Sequence, residues 1–406
     1  MLIVFIGGIY LDHEKEFYKN NSKIALANSS HTHQLGIISG LEKNNCKVIL
    51  LNAPFIGTYP KYFKKMIIKA KTCDNYHDIG YINLPIIKQI CKTVSFYLKL
   101  QSIYYKEHGN LNICVYLAYL PHLFPAYLFK KFHPRTKISL IVPDLPEYFS
   151  TSSKKSKTKY FIKIIEQKII IILLKKVNSF VLLTKQMKDK LGIGNKPYIV
   201  QEGIINLDDF KKTLTKNNNV NKKIILYSGT LNRQYGIINL LKAFEHINDT
   251  SYYLYVCGSG EEEEKINEFL KRNNRIIYFD QLDRKDVLKL QSEATVLINP
   301  RTNEGEYTKY SFPSKTMEYL LSGKPVLMYK LDGVPDEYDQ YLYYFDSNKP
   351  KDIADKIVEV CEKSKRELDD FGKKSRKFVL ENKNSEVQAR KIIDMVKMMH
   401  EKVIEK

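Results

Sequence analysis

The chain is poor in the residues that make cross-links and metal sites. Its 406 residues hold only six cysteines: Cys46, Cys73, Cys91, Cys114, Cys257 and Cys361. They are scattered, with no CxxC and no paired histidine spacing. A disulfide framework and a zinc site are both excluded, and reduced thiols in a reducing compartment are expected. No apolar run reaches the roughly 18 residues that would span a bilayer. The longest, Ile169 to Leu174, is closed by Lys168 and Lys175. The opening MLIVFIGGIY lacks a basic n-region and meets Gly-Gly early, so a buried first strand is expected and not a signal peptide. There is no GxGxxG and no GKS/T, so neither a dinucleotide fingerprint nor a P-loop is present. Nor is there a nucleic-acid motif, and the 29 tyrosines form no stacking platform.

Acidic residues are scarce in one half only. Residues 1–200 carry 30 Lys and Arg against 11 Asp and Glu, a balance of +19. Residues 201–406 carry 35 against 34, a balance of +1. A compositional bias would act on both halves alike. The basic half therefore points to an anionic partner. Two of its segments mix lysine with large apolar residues, Tyr59 to Lys71 and Lys154 to Lys176. Such a surface reads as interfacial, able to rest on an anionic membrane.

Strand-like runs alternate with helical patterns along the chain. Strands are expected at Leu2–Ile6, Lys47–Leu51, Leu111–Tyr116, Lys137–Val142, Ser179–Leu183 and Pro197–Gln201. After a polar, Asn-rich stretch ending near Lys223 the rhythm restarts. Strands follow at Lys223–Ser228, Tyr252–Cys257, Arg275–Phe279, Ala294–Asn299 and Pro325–Tyr329. Helices are expected at 159–176, 235–249, 260–273, 284–292 and 314–322, with helix after helix beyond Asp352. This is an α/β protein with parallel sheets. It reads as two doubly wound Rossmann-like domains facing across a cleft, residues 1–203 and 204–383. A last helix, 384–406, is expected to pack back on the first domain.

In open α/β sheets ligands bind beyond the carboxyl ends of strands. Gly7 and Gly8 follow the first strand. Gly229 ends the next domain's first strand, in a loop that carries Arg233. Gly258 opens "GSGEEEEK", whose four acids suit a helix N-terminus and face water. In "YSFPSKTMEYLLSGKPVL" Ser314 is placed to cap a helix. Glu318 lies one turn inside, three residues after Lys315. Lys315 and free amides could hold phosphates, and Glu318 a ribose diol. The plainer alternative pairs Glu318 with Lys315 on a wet face.

Taken together, "YSGTL", "LLKAF", "YVCGSGEEEE", "LINPR" and "FPSKTMEYLLSGKPVL" resemble, in this order and spacing, family-4 retaining glycosyltransferases of the GT-B fold, of the bacterial capsule, exopolysaccharide or O-antigen type. The first half resembles the acceptor domain through Gly-Gly and "IVPDLPEYF". The resemblance implies roles for several positions. Glu318 matches the second acid of the E-x7-E motif, which binds the nucleotide ribose. Ser314 and Lys315 fall in the turn that meets diphosphate and sugar, with Phe312 and Tyr310 just before them. Gly7 and Gly8 match the loop near the donor phosphates, and Arg301 belongs to the donor side. Asp144 stands where relatives carry a catalytic or sugar-binding polar residue, so Asp144 and Glu318 are the catalytic candidates. Three positions depart from the pattern. Tyr310 stands where the first motif acid is expected, and Thr230 and Tyr235 stand at the usual Arg and Lys phosphate ligands. Arg233, Arg301 or Lys315 would then supply the charge.

The implied activity moves a sugar from a nucleotide-sugar donor, a substrate and not a cofactor, to a glycan or polyprenyl-linked acceptor in surface-glycan synthesis. No cofactor and no metal are expected, and no nucleic-acid partner. The implied place is cytoplasmic, peripheral to the inner face of the plasma membrane. The missing motif acid keeps one alternative: a catalytically inactive homologue serving as a partner subunit.

Overall fold

A computed structural model describes residues 1–146, 157–205 and 222–404. The Asn-rich stretch from Thr215 to Asn221 and the start of the second basic segment lie outside the described residues. The described chain forms two compact units, residues 1–204 with 385–406, and residues 205–384.

Unit 1 holds ten strands: β1 (Leu2–Gly7), β2 (Lys47–Asn52), β3 (Ile67–Ile68), β4 (Lys71–Cys73), β5 (Tyr76–Asp78), β6 (Tyr81–Ile82), β7 (Asn112–Tyr116), β8 (Lys137–Val142), β9 (Ser179–Leu182) and β10 (Tyr198–Val200). Between them run α1 (Asp12–Asn21), α2 (Asn28–Lys43), α3 (Ile87–Glu107), α4 (Leu120–Phe132), α5 (Lys157–Leu174) and α6 (Met187–Lys190). Eight strands make one sheet in the order β10-β9-β8-β7-β1-β2-β5-β4, parallel except for β4 against β5. β3 and β6 form a separate antiparallel pair. The apolar runs of β1, β7 and β8 are buried on both faces, as strands covered by helices require.

Unit 2 holds β11 (Lys223–Ser228), β12 (Tyr252–Cys257), β13 (Ile276–Tyr278), β14 (Val296–Asn299), β15 (Val326–Met328) and β16 (Tyr343–Tyr344). Its helices are α7 (Ile237–Phe244), α8 (Glu263–Arg272), α9 (Arg284–Glu293), α10 (Ser314–Ser322), α11 (Pro350–Cys361) and α12 (Lys365–Asn382). The sheet order is β13-β12-β11-β14-β15-β16, all parallel. Strand order reverses beside β11 in unit 2 and beside β1 in unit 1. Those are the topological switch points where such sheets bind ligands. The two doubly wound Rossmann-like units are those the strand–helix rhythm predicts. The last helix, α13 (Ser385–Ile404), lies against α2, and Gly40 permits the contact. A Cβ there would stand 2.0 Å from the Ser385 carbonyl oxygen.

Two local readings are corrected. Ser314 is the first residue of α10, and Pro313 is the N-cap. No side-chain oxygen caps that turn. Glu262 does not face water but is buried, and its carboxylate pairs with Lys265 at 2.5 Å. The β3–β6 pair and α3 have no counterpart in the sequence reading, because two-residue strands and an inverted helix carry no clean period.

Candidate functional site

In unit 2 a cavity of about 220 Å³ opens beyond the carboxyl ends of β11 and β12. Its walls include Gly229, Thr230, Gly258, Ser259, Gln281 and Lys315. One of these glycines is forced. Gly258 has φ +139°, and a Cβ on it would lie 1.9 Å from the Gly229 carbonyl oxygen. The two strand-end loops thus touch backbone to backbone and leave space above them. α10 starts at the rim. Its first turn, uncapped by any side chain, presents amides, and Lys315 reaches the cavity.

Glu318 sits one turn on. Its Oε1 accepts from Lys315 Nζ at 2.8 Å and from Gln291 Nε2 at 2.7 Å. The plain pairing with Lys315 therefore exists, but on a side chain only 18% exposed. Gln291, from α9, also reaches Ser228 Oγ at 3.4 Å. Tyr319 anchors the helix to the strand: its hydroxyl accepts from Ser228 N at 2.8 Å and donates to Ser228 O at 3.0 Å. Sequence reasoning missed both Gln291 and Tyr319. Neither stands in a motif that would have marked it.

Arg301 follows β14 at the switch point and is 8% exposed. One nitrogen, Nη2, donates to Ser311 Oγ at 2.6 Å, while Nε is buried with no partner. Its guanidinium lies 4.8 Å from the Tyr307 ring centre and 5.7 Å from that of Tyr235. No acid pairs with it among the described residues. Such a guanidinium suits an incoming anion. It stands beside Tyr235, the position where resemblance placed a charged phosphate ligand. Arg233 is exposed on a short 3-10 turn, Arg233–Tyr235. Tyr310 donates to Glu306 Oε1 at 3.3 Å, so an acid stands near the place of the absent motif glutamate. Phe312 is buried against Tyr338, a core contact.

The remaining candidates belong to unit 1. Gly7 and Gly8 end β1, but Gly8 N donates to Gln34 Oε1 at 2.8 Å and Gly8 O accepts from Gln34 Nε2 at 3.3 Å. The loop is closed on α2, and the Gly8 amide is already used. A Cβ on Gly7 would lie 2.3 Å from the same Gln34 oxygen. Asp144 follows β8 with its side chain reached by solvent. Even so, desolvation by the surrounding chain pushes its carboxyl up to about 6. Tyr116, at the end of β7, bonds His33 Nδ1 at 3.1 Å. Burial holds the His33 imidazole down at about 4.

No three His, Cys, Asp or Glu side chains gather as metal ligands among the described residues. No helix of the described residues is long and apolar enough to cross a membrane. All six cysteines are free.

Comparison with known proteins agrees with this architecture. Residues 209–378 match the family of glycosyl transferases group 1. No curated protein matches the chain by sequence. Among solved structures, sucrose-phosphate synthase from Thermosynechococcus elongatus is similar at TM-score 0.61 and 14% identity, covering 98% of this chain and 99% of that one. The alpha,alpha-trehalose 6-phosphate synthase from Burkholderia multivorans aligns at TM-score 0.64 and 8% identity over 99% of both chains. HepE from Anabaena, solved in complex with UDP, aligns at TM-score 0.61 and 12% identity over 98% of this chain and 100% of that one. The fold is the GT-B fold of glycosyltransferases.

Proposed function

We propose that this chain is a retaining glycosyltransferase that takes a sugar from a nucleotide-sugar donor held in unit 2. One observation carries the reading: a cavity at the carboxyl ends of β11 and β12, walled by backbone and fronted by Lys315. The match of this unit to glycosyl transferases group 1, and the UDP found with Anabaena HepE, support it. In this reading Glu318 accepts the ribose hydroxyls, and Lys315 and Arg301 face the diphosphate. Charge grows on that diphosphate as the glycosidic bond breaks. Fixed amides and cations then bind the transition state more strongly than the ground state. Arg233, Tyr310 and Ser314 border the donor, and Asp144 contacts the acceptor or sugar hydroxyl.

The acceptor side is unit 1. Ile86, the N-cap of α3, and Ile90, Val94 and Leu98 within it form an exposed i, i+4 stripe, with Ile87 exposed beside it. Ile67 and Ile82, paired across β3 and β6, are exposed as well. Lysines 61, 64, 65 and 69 flank them. Apolar residues rimmed by lysines suit the surface of an anionic bilayer and a polyprenyl-linked acceptor held there. In this reading the enzyme works in surface-glycan synthesis, peripheral to the cytoplasmic face of the plasma membrane.

Calorimetry with nucleoside diphosphates and a panel of nucleotide sugars tests the donor site. Binding of at least one nucleoside diphosphate, with release of that diphosphate on adding an acceptor, is the expected result. No binding across the panel refutes it. A second reading, a binding subunit without transfer activity, is favoured by Tyr310. Donor binding without any transfer or hydrolysis would establish that instead.

A further inference from the structure

Helix α3 is inside out over its first turns. The isoleucines and Val94 face water, while Lys88 and Lys92 point inward, 6% and 1% exposed. Both ammonium groups address one ring: Lys92 Nζ lies 4.6 Å and Lys88 Nζ 5.8 Å from the centre of Tyr81. Lys88 Nζ donates to the Ile56 carbonyl at 2.5 Å. Lys92 has no hydrogen-bond or ion-pair partner among the described residues, only the rings of Tyr81 and, at 6.0 Å, Tyr119. Ring contacts repay only part of the cost of burying an ammonium.

Two further polar atoms of this cluster are orphaned. The Tyr81 hydroxyl is buried with no partner. His122 is fully buried, and its Nδ1 lies 3.2 Å from the Tyr116 carbonyl, so Nδ1 carries the proton and donates. Its Nε2 is then a bare acceptor, also unpartnered. Burial and the nearby Lys92 keep the ring neutral, down at about 3. Burial likewise lowers Lys88 to about 8 and drives Lys92 well below its ordinary value. Four polar groups are thus built into one place and left unsatisfied or under-satisfied, against the strong rule that buried polar groups are paired.

The cluster also has an address. The Phe55 ring lies 5.4 Å from His122 on one side, tilted by 31°. On the other it touches Gly8, whose added Cβ would meet it at 2.8 Å. The lysine cluster therefore lies directly behind the loop at the unit 1 switch point.

We propose that Lys88, Lys92, Tyr81 and His122 form a binding site for a phosphate group in unit 1. Two ammonium groups with no acid between them match a doubly charged phosphate better than a singly charged carboxylate. His122 Nε2 asks for a donor, which a hydroxyl of the phosphorylated compound supplies. Assigning this phosphate to the acceptor rests on the transferase reading; the binding itself does not. Within that reading, the phosphate belongs either to a soluble sugar phosphate or to the phosphate linkage of a lipid-linked acceptor.

The test uses the full chain and inorganic phosphate, with chloride at equal ionic strength as the reference. Thermal-shift titration should show phosphate stabilisation in the wild type. The apparent Kd should rise at least tenfold in Lys92→Met and severalfold in Tyr81→Phe. Tyr81→Phe removes only an unpartnered oxygen, so it keeps the fold even if Lys92→Met does not. Phosphate affinity equal to wild type in Tyr81→Phe and Lys88→Gln overturns the proposal, as does equal affinity in a folded Lys92→Met. Glucose 6-phosphate in solution and polyprenyl diphosphate in neutral vesicles separate the two sources, by which one binds in a Lys92-dependent way. Lost nucleoside diphosphate binding with phosphate binding intact would remove the transferase reading and leave this site standing.

Discussion

Replacing Gly258 by alanine should damage stability and donor binding together. Two costs add at this residue. A side chain at φ +139° is strained, by about 1–3 kcal/mol. Its Cβ would also stand 1.9 Å from the Gly229 carbonyl oxygen. That neighbour is backbone and cannot swing aside, so the two loops must part, at about 1–3 kcal/mol more. The lost freedom of glycine in the unfolded chain returns about 0.4–1 kcal/mol. The net loss is about 3 kcal/mol. Gly192→Ala is the control. It too has a positive φ, +60°, but nothing lies within 4 Å of its added Cβ. Its cost is the left-handed strain alone, about 1 kcal/mol after the same return. At about 2–4 °C per kcal/mol for units of this size, Gly258→Ala should lower the melting midpoint by about 6–12 °C and Gly192→Ala by about 2–4 °C. Thermal melts followed by circular dichroism measure both. The parted loops also reshape the cavity, so the Kd for a nucleoside diphosphate should rise at least tenfold in Gly258→Ala at a temperature where it is folded. It should not change in Gly192→Ala. Equal small shifts in the two variants would show that the strand-end loops do not need to touch, and unchanged affinity would move the donor elsewhere.

Arg301→Gln should weaken a nucleoside diphosphate about tenfold or more while leaving nucleoside binding alone, measured by calorimetry; equal losses for both would deny Arg301 a phosphate role. Glu318→Gln should weaken nucleoside and diphosphate alike with a small change in melting midpoint, and unchanged nucleoside affinity would remove Glu318 from the ribose. Asp144 binds its proton more tightly in the folded state, so its contribution to stability falls as pH rises from about 4 through about 6. Asp144→Asn should flatten that part of the melting-midpoint profile, and should also abolish any rise in turnover through about pH 6. Retained full turnover in Asp144→Asn would leave it a turn residue. Ile90→Glu and Leu98→Glu, both at exposed positions, should leave the fold intact and reduce sedimentation with anionic vesicles several-fold. Wild-type binding should weaken as salt rises. Equal binding to neutral and anionic vesicles, or none to either, would leave unit 1 a non-membrane surface.

Much of this protein was legible because its signals are local. The runs KIILYS and YYLYVC are apolar, short and closed by Ser-Gly and Gly-Ser-Gly, and they became β11 and β12 at the expected bounds. Gly229 and Gly258, read after strands, line the cavity of unit 2. The three-residue spacing of Lys315 and Glu318 placed both on one face of α10, and they pair there. Tertiary structure decided which faces meet, since that depends on partners far along the chain. Glu318 gains Gln291 from another helix, 27 residues away. Arg301 comes to lie beside Tyr235 because Gly236 lets its turn approach Pro300, where a Cβ would stand 2.0 Å from the carbonyl oxygen. The Gly8 amide is bonded by Gln34, from a helix 26 residues along the chain. Nothing in the sequence marks Lys88 and Lys92 as inward-facing, and the fold buries both. A helix pattern states which residues share a face, but only the sheet it packs on determines which face is buried.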